Sequence, residues 1–558
     1  MGRARSYATG KLILTSSKVF KLSSIAATVL AATTANAALY TIEEVSVPTH
    51  ISNVTSYNEV YGVAIKPSTV GGSMGCFGTS CIGSDFELAA ETRVTVDGVS
   101  YREESPFAMD RSFSYIQDYD DFKFYCYREL LYATCDSWAE EHWSAWNNEL
   151  NNGTQNALAF VEGNITAYTN EYNNIINSLT DSADPVGNQS VAGGTRNKAV
   201  SPVLPIETGS DWKQSRAWKA TTTSAYTVGS VARTYSNDQG THHVSKAAIW
   251  DNTGAVTEIP WENSNTPKDG ELLAQGSMRD IVVDGTDIFS VGYNTFSDDN
   301  YYDASVFIYT VADGWKTRRI SGAESRIGGD TIHSNSVATG MNENLLVIGT
   351  AKRSGDYPEN GAAGNRIFVA DASNSTPSAT FLSGGIFFSG AGGKAGAVNN
   401  YNEIVGQIDA EDTRENNGKP RRLRGFIYPY SFTNTDSDRR AIFENKAQYL
   451  DNLTNDDIVT GNANQYRIID ATDINDAGVI SATAIKCSGG YDNTTHNSYC
   501  GGGSQTEETV AVKLVPIAGA TSSNIQPRGI EEPVVERQGG SIGWAMFTLF
   551  GLLGLRRK

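Results

Sequence analysis

The sequence predicts a mainly β fold: a β-propeller-like repeat of about six units with an inserted helical hairpin. Three observations lead there. First, Gly, Asn, Ser and Thr are abundant, charged residues make up only 19%, and there are 26 Tyr and 20 Phe, which suits many short strands joined by tight turns. Second, one local pattern recurs: a polar Asn/Asp turn, an alternating apolar strand, a glycine and a further short strand. Third, the period is about 60 residues, the size of a small sheet that cannot bury both faces alone and must stack on its neighbours. Two packed β-sandwich domains are the alternative.

Residues 1–37 read as a signal peptide. Lys18 and Lys21 supply positive charge, "LSSIAATVLAATTANA" is an apolar, small-residue core, and Ala35–Ala37 ("ANA") form an A-x-A cleavage site, so the mature chain starts at Ala38. Residues 38–135 form a first β unit that contains "YNEVYGVAI" (Tyr57–Ile65). Residues 136–180 break the β pattern. Trp138, Trp143, Trp146 and Leu150 share a helical face, and after "NNGT" the series Leu158, Val161, Ile165, Tyr168, Tyr172, Ile175, Ile176, Leu179 steps by three and four. That spacing predicts a helical hairpin, either a cap on one propeller face or a lid for a ligand. Residues 181–217 read as a loop or linker.

The repeats fill residues 218–520. "TSAYTVGSVA", "VDGTDIFSVGYN", "NENLLVIGTA" and "YNEIVGQI" place pivot glycines at Gly229, Gly292, Gly349 and Gly406, spaced 63, 57 and 57 residues apart. "DINDAGVISATA" is a further copy with Ser481 in the glycine's place, and Gly62 heads the first copy. Each copy from Gly229 onward leads into a second strand such as "KAAIWD", "ASVFIYTV", "NRIFVAD" or "RGFIYPY". Residues 521–538 form a polar linker and 539–558 a distinct tail.

The six cysteines fall into three close pairs: Cys76 with Cys81, Cys126 with Cys135, and Cys487 with Cys500. In an exported chain they read as disulfides, with neighbour pairing the simplest choice among 15 connectivities. Zinc-ribbon CxxC pairs are absent. A net charge of −19 argues against nucleic acid and anionic membrane surfaces as partners.

No catalytic, cofactor-binding or metal-binding residue emerges. The six histidines include one adjacent pair, His242 and His243, in a loop, and no H-E-x-x-H. Gly71–Gly75 ("GGSMG") and Gly539–Gly543 ("GGSIG") match G-x-S-x-G, but neither has the strand before and helix after that a nucleophile elbow requires. The acidic loops Ser297–Asp303, Asp451–Asp457 and Asp470–Gly478 offer oxygen ligands that would suit calcium, yet none has EF-hand spacing.

The tail holds Gly539, Gly540 and Ser541, an apolar run from Ile542 through Trp544 to Leu555, and the cations Arg556, Arg557 and Lys558. The 14-residue run is short for a stable membrane span, and the terminal cations hold its end on the cytoplasmic side. This tail resembles the GlyGly-CTERM sorting signal of Gram-negative bacteria. The resemblance implies export machinery, cleavage near the glycines by a rhombosortase-type protease, transient membrane contact, and delivery to the outer surface or medium. "DINDAGVIS", "VNNYNEIVGQI" and "KAAIWD" resemble HAF-type extracellular repeats, although the HAF triplet itself is replaced by "RGF" or "RIF". The whole architecture is similar to an exported gammaproteobacterial family built on a domain of unknown function. The functional expectation is a non-enzymatic binding or adhesion module for an extracellular ligand, with a secreted hydrolase or a structural envelope component as alternatives.

Overall fold

A computed structural model describes residues 38–530, apart from 53–55, 103–115, 117, 152–154, 165–172, 191–195, 202–210, 222–225, 239, 270–271, 297–300 and 416–419. The signal-peptide residues Ala35 and Ala37 and the whole tail from Gly539 to Lys558 therefore lie outside the described residues.

Among the described residues the strands form seven radial blades, one more than the repeat count predicts. Their innermost strands are, in order, Glu59–Ile65, Asn173–Leu179, Gln214–Ala220, Ser277–Asp284, Asp330–Met341, Gly393–Val398 and Tyr466–Ile474. Each contacts the next, and the seventh contacts the first. That closed ring decides for a propeller over tandem sandwiches. The ring is shut by the chain's beginning: Tyr40–Glu44 pairs antiparallel with Glu507–Pro516 as the outer strand of the seventh blade. Ala38 is buried, and the adjacent Leu39 donates to the Leu453 carbonyl and accepts from Ile517, so the expected start of the mature chain is built into the closure.

The glycine period has a steric cause. Every innermost strand carries a β-bulge near its middle, and the residue facing it on the second strand is Ala90, Gly187, Gly229, Gly292, Gly349, Gly406 or Ala482. A Cβ at Gly187, Gly229, Gly292, Gly349 or Gly406 would overlap a carbonyl of the bulged strand (Ile175, Arg216, Ser277, Val337 and Lys394 respectively). This corrects two pivots. Gly62 lies in an innermost strand, not a second strand, and in the last copy the equivalent residue is Ala482 rather than Ser481. Gly187 is a further pivot that lies outside the recurring sequence pattern.

The helical insertion is present but shifted. Helix Tyr119–Tyr125 continues as a π-helical turn over Cys126–Leu130, and helix Asp136–Leu150 packs back on it. The second predicted arm is not helical where it is described: Ala157–Val161 and Asn173–Leu179 are strands of the first and second blades, and Ile165, Tyr168 and Tyr172 lie outside the described residues. Every residue of Ala157–Val161 is buried, and such a strand has no polar alternation to distinguish it from a helix. For the same reason the described residues of 181–217 are not a linker: Pro185–Ser190 and Lys198–Val200 complete the second blade, and Gln214–Ala220 opens the third. His242 and His243 lie in strand Gly240–Trp250, not in a loop.

The cysteines pair as neighbours throughout. Cys76 is joined to Cys81 with a Cα–Cα distance of 5.5 Å, Cys126 to Cys135 at 5.8 Å, and Cys487 to Cys500 at 5.6 Å. The Cys126–Cys135 bridge ties the π-helical turn to the start of helix Asp136–Leu150. The Cys487–Cys500 bridge closes the loop that follows strand Ile480–Cys487 of the seventh blade. The start of the polar linker is not free of the body: Arg528 is buried, donating to the carbonyls of Asp451 and Thr494 and to Asn464 Oδ1.

Candidate functional site

The bulges point to the site. In every blade the extra bulge residue lines one central cavity: Val63, Asn177, Trp218, Arg279, Thr339, Gly396 with Ala397, and Thr472. The cavity measures about 1230 Å³. A bulge re-aims the backbone locally, so repeating it in all seven blades sets a waist of bulge residues around the propeller axis.

One mouth is covered by the helical pair. Glu129, Leu130, Tyr132 and His142 line the cavity from above. On the near side the pair is held to the first two blades: Trp146 is buried, and Arg196 sits over its ring while bonding Glu149 and the carbonyls of Val99 and Ser100. On the far side it reaches the fifth blade, where Lys352 Nζ lies 3.4 Å from Glu129 and Arg128 pairs with Asp356 at 3.2 Å. A Cβ at Gly355 would overlap the Arg128 carbonyl, which shows how closely the turn seats. His142 stacks on Trp138 at 3.8 Å, and burial lowers its pKa.

The other mouth is rimmed by the repeat's own turns. Asn342 donates to the Asn399 carbonyl at 2.8 Å, Asn399 to the Asn475 carbonyl at 3.1 Å, and Asn475 to the Lys66 carbonyl at 3.0 Å. Each of these asparagines also caps its own turn through Oδ1, which accepts from the amide four residues on. The Asn/Asp turns of the sequence motif are thus a relay linking blades five, six, seven and one. Arg439 bolts it from behind, with two 2.7 Å bonds to Glu403 and a 2.7 Å bond to the Asp476 carbonyl. A further bond runs from Arg439 to the Ser73 carbonyl, so this serine of "GGSMG" serves a structural contact and follows no strand.

Between the mouths lies a charged wall. Asp280 accepts from the amides of Ile281 (2.8 Å) and, in the next blade, Met341 (3.0 Å). Asp473 repeats this, accepting from Ile474 (2.9 Å) and from Ile65 in the first blade (2.9 Å). Burial raises the pKa of both, with Lys219 opposing it. Lys219 occupies the matching position of the third blade. Burial pulls its pKa down, but Asp280, Asp473, Asp181 and Asp476 together hold it above its ordinary value. Burial likewise raises Asp470, against the pull of Lys394. Arg279 lies over the Trp218 ring at 3.6 Å.

Outside the acidic loop Asp470–Gly478, no sequence motif marks these channel residues. The available signal was a charge inside a buried strand, as in "RAWKA" and "SMRDIV", one residue past the bulge. Of the acidic loops, Asp451–Asp457 starts with a fully buried carboxylate 2.9 Å from Arg424, and Asp470–Gly478 supplies the channel acids Asp470, Asp473 and Asp476. Among the described residues no group of three or more His, Cys, Asp or Glu is arranged to hold a metal ion.

A ring of seven blades around an axial channel, closed by the strand Tyr40–Glu44, defines a seven-bladed β-propeller. The chain belongs to the family described as "Protein of unknown function (DUF3466)", whose model matches residues 204–558, well over half its length. No curated protein matches it. Among solved structures, YjhT is similar at 10% identity over 52% of this chain and 85% of its own, with a TM-score of 0.23. The β-propeller domain of the trilobed protease from Pyrococcus furiosus, described as having an open velcro topology, is similar at 8% identity over 57% and 98%, with a TM-score of 0.19.

Proposed function

We propose that this protein is an exported, non-enzymatic binding module that takes an extracellular ligand in its central channel. The observation that carries the reading is the use made of the channel acids. A deep pocket with displaced carboxylates would ordinarily argue for an enzyme. Here both oxygens of Asp280 and of Asp473 accept backbone amides, and Asp476 accepts the amide and side chain of Asn400. These groups fasten blades together, and a carboxylate so occupied is a poor proton shuttle.

Export rests on the signal-peptide pattern of residues 1–37, the GlyGly-CTERM-like tail, the HAF-like repeats and the three disulfides. On this reading the export machinery delivers the chain, a rhombosortase-type protease cuts near Gly539–Ser541, and the body remains at the surface or in the medium. The intact non-reduced mass of protein from the native host's surface and medium tests it. A chain starting at Ala38, ending near Gly540 and lacking six hydrogens is expected; an uncut tail with free thiols overturns it.

A secreted hydrolase is the second reading, and Asp470 is the observation that favours it. Burial raises the pKa of this channel acid, and the backbone hydrogen bond from Ala471 only partly offsets that. Turnover of chromogenic esters or glycosides by the wild type, abolished in Asp470→Asn, would replace the binding reading.

A further inference from the structure

The two mouths of the channel are secured in different ways. At the mouth ringed by turns, the Asn342, Asn399 and Asn475 bonds run from blade to blade with Arg439 behind them, so that arc cannot widen without breaking buried bonds. At the other mouth the cover is the helical pair, residues 119–150, which places Glu129, Leu130, Tyr132 and His142 on the cavity. This cover is lopsided. Its near edge is apolar: Phe122, Ala139 and Trp146 share a small core with Val99 and Ile116, a core that takes in no residue of blades three to seven among the described residues. A Cβ at Gly98 would overlap the Trp146 amide nitrogen, so this edge is seated against backbone. The far edge meets blade five through charges. Lys352 lies 3.4 Å from Glu129, and Arg128 lies 3.2 Å from Asp356, with those last two side chains 51% and 57% exposed.

We propose that residues 119–150 are a lid: the pair pivots on its Trp146 end and is latched shut over the mouth by the Glu129–Lys352 and Arg128–Asp356 pairs. The inference concerns entry alone and holds whether the channel binds or catalyses. The pair has its own core and the Cys126–Cys135 bridge, so it can leave blade five without unfolding. Its two edges differ in what parting costs. Pulling Trp146 from its seat would expose a large ring to water and part Arg196 from both that ring and Glu149. Parting the far edge returns four charges to water, which offsets most of the lost attraction. The far edge therefore opens first, and salt, which screens it, favours the open lid. Gly355 fits the latch: with no Cβ, it lets the Arg128 carbonyl sit against blade five, so the closed position is a shaped seat.

The six native cysteines are all in disulfides, so one engineered thiol can report access. Ala363→Cys places it on the cavity wall in the loop that also carries Asp356, and Thr69→Cys places a control at the opposite mouth. The measurement is the rate at which the full-length protein is labelled by an uncharged polyethylene-glycol maleimide under non-reducing conditions. Removing the latch with Glu129→Gln and Asp356→Asn is expected to raise the Ala363→Cys rate roughly tenfold and to leave the Thr69→Cys rate unchanged. With the latch intact, raising salt to about 1 M should raise the first rate several-fold and not the second. An Ala363→Cys rate that ignores the substitutions in a folded variant, or ignores salt, overturns the lid. So does an Ala363→Cys rate already equal to the Thr69→Cys rate in the latched protein at low salt. A Thr69→Cys rate that rises equally also overturns it, because the whole propeller is then loosening. The salt series needs no latch substitution, so it decides even where the double variant fails to fold.

Discussion

Blades five, six, seven and one are tied to each other differently from blades one to four. In the first arc one device repeats: a turn asparagine caps its own turn and donates to the same position of the next blade. In the second arc each interface has its own fastener. Asn177 and Ser178 donate to the carbonyls of Ala217 and Trp218, both at 2.7 Å, whereas Gln275 accepts from the amide and hydroxyl of Ser245. Strand order is the same in both arcs. A repeated sequence motif thus produces a repeated side-chain bond only where the turn residue is itself part of the repeat; elsewhere the ring geometry is kept by unrelated residues that meet the same backbone groups.

The sharpest way to break the repeated arc is Arg439→Met. It strands the buried Glu403 carboxylate and should cost roughly 3–5 kcal/mol in urea unfolding. Gly349→Ala should cost about 3 kcal/mol, because the new methyl meets both the Val337 carbonyl and the Phe368 ring. Ala482→Gly, at the equivalent position of the seventh blade, should cost no more than about 1 kcal/mol.

Two groups in this arc give opposite pH dependences. Burial, aided by Arg353 and Arg366, lowers His333 to about 4 from an ordinary 6.5. The unfolded chain therefore gains a proton first, and stability is lost as pH falls from 6.5 towards 4. Burial pushes Asp409 up to about 6 from 3.8, so its contribution is lost as pH rises through that window. His333→Gln should remove the first slope alone. The stability of wild type minus variant should then shrink by about 3 kcal/mol between pH 7 and pH 4. No change in that difference would mean that His333 titrates alike in the folded and unfolded chain.

Asn399→Ala cuts one link of the relay, the bond to the Asn475 carbonyl, and also uncaps its own turn and releases Glu403; it should cost about 2 kcal/mol, against about 1 kcal/mol for Ser178→Ala, which loses a single bond in the other arc. Equal costs would show that the relay adds nothing over a single fastener. The smallest effect is expected from Lys352→Ala, about 1 kcal/mol, since it releases only the far edge of the helical pair. Faster amide exchange confined to residues 119–150 is its signature.

The sequence alone determined the β class, the repeat, the cysteine pairs and the presence of a helical insertion, because each depends on local chemistry: turn residues, alternation, short loops and an aromatic helical face. Cys81, Cys135 and Cys500 each lie within 13 residues of their partners, so a short loop sufficed to pair them. Gly229, Gly292, Gly349 and Gly406 were legible as pivots because a bulge forbids a Cβ there. Tertiary structure decided the rest. The first two blades lack the period, so Ala157–Val161, Asn173–Leu179 and Pro185–Ser190 read as helix and linker until burial on both faces made them strands. The seventh blade takes its outer strand from Tyr40–Glu44, more than 460 residues away from its pairing partner. The channel was invisible for the same reason. Trp218, Lys219, Arg279, Asp280, Asn335 and Asp473 are far apart in the chain, and only closing the ring brings their bulged strands around one axis.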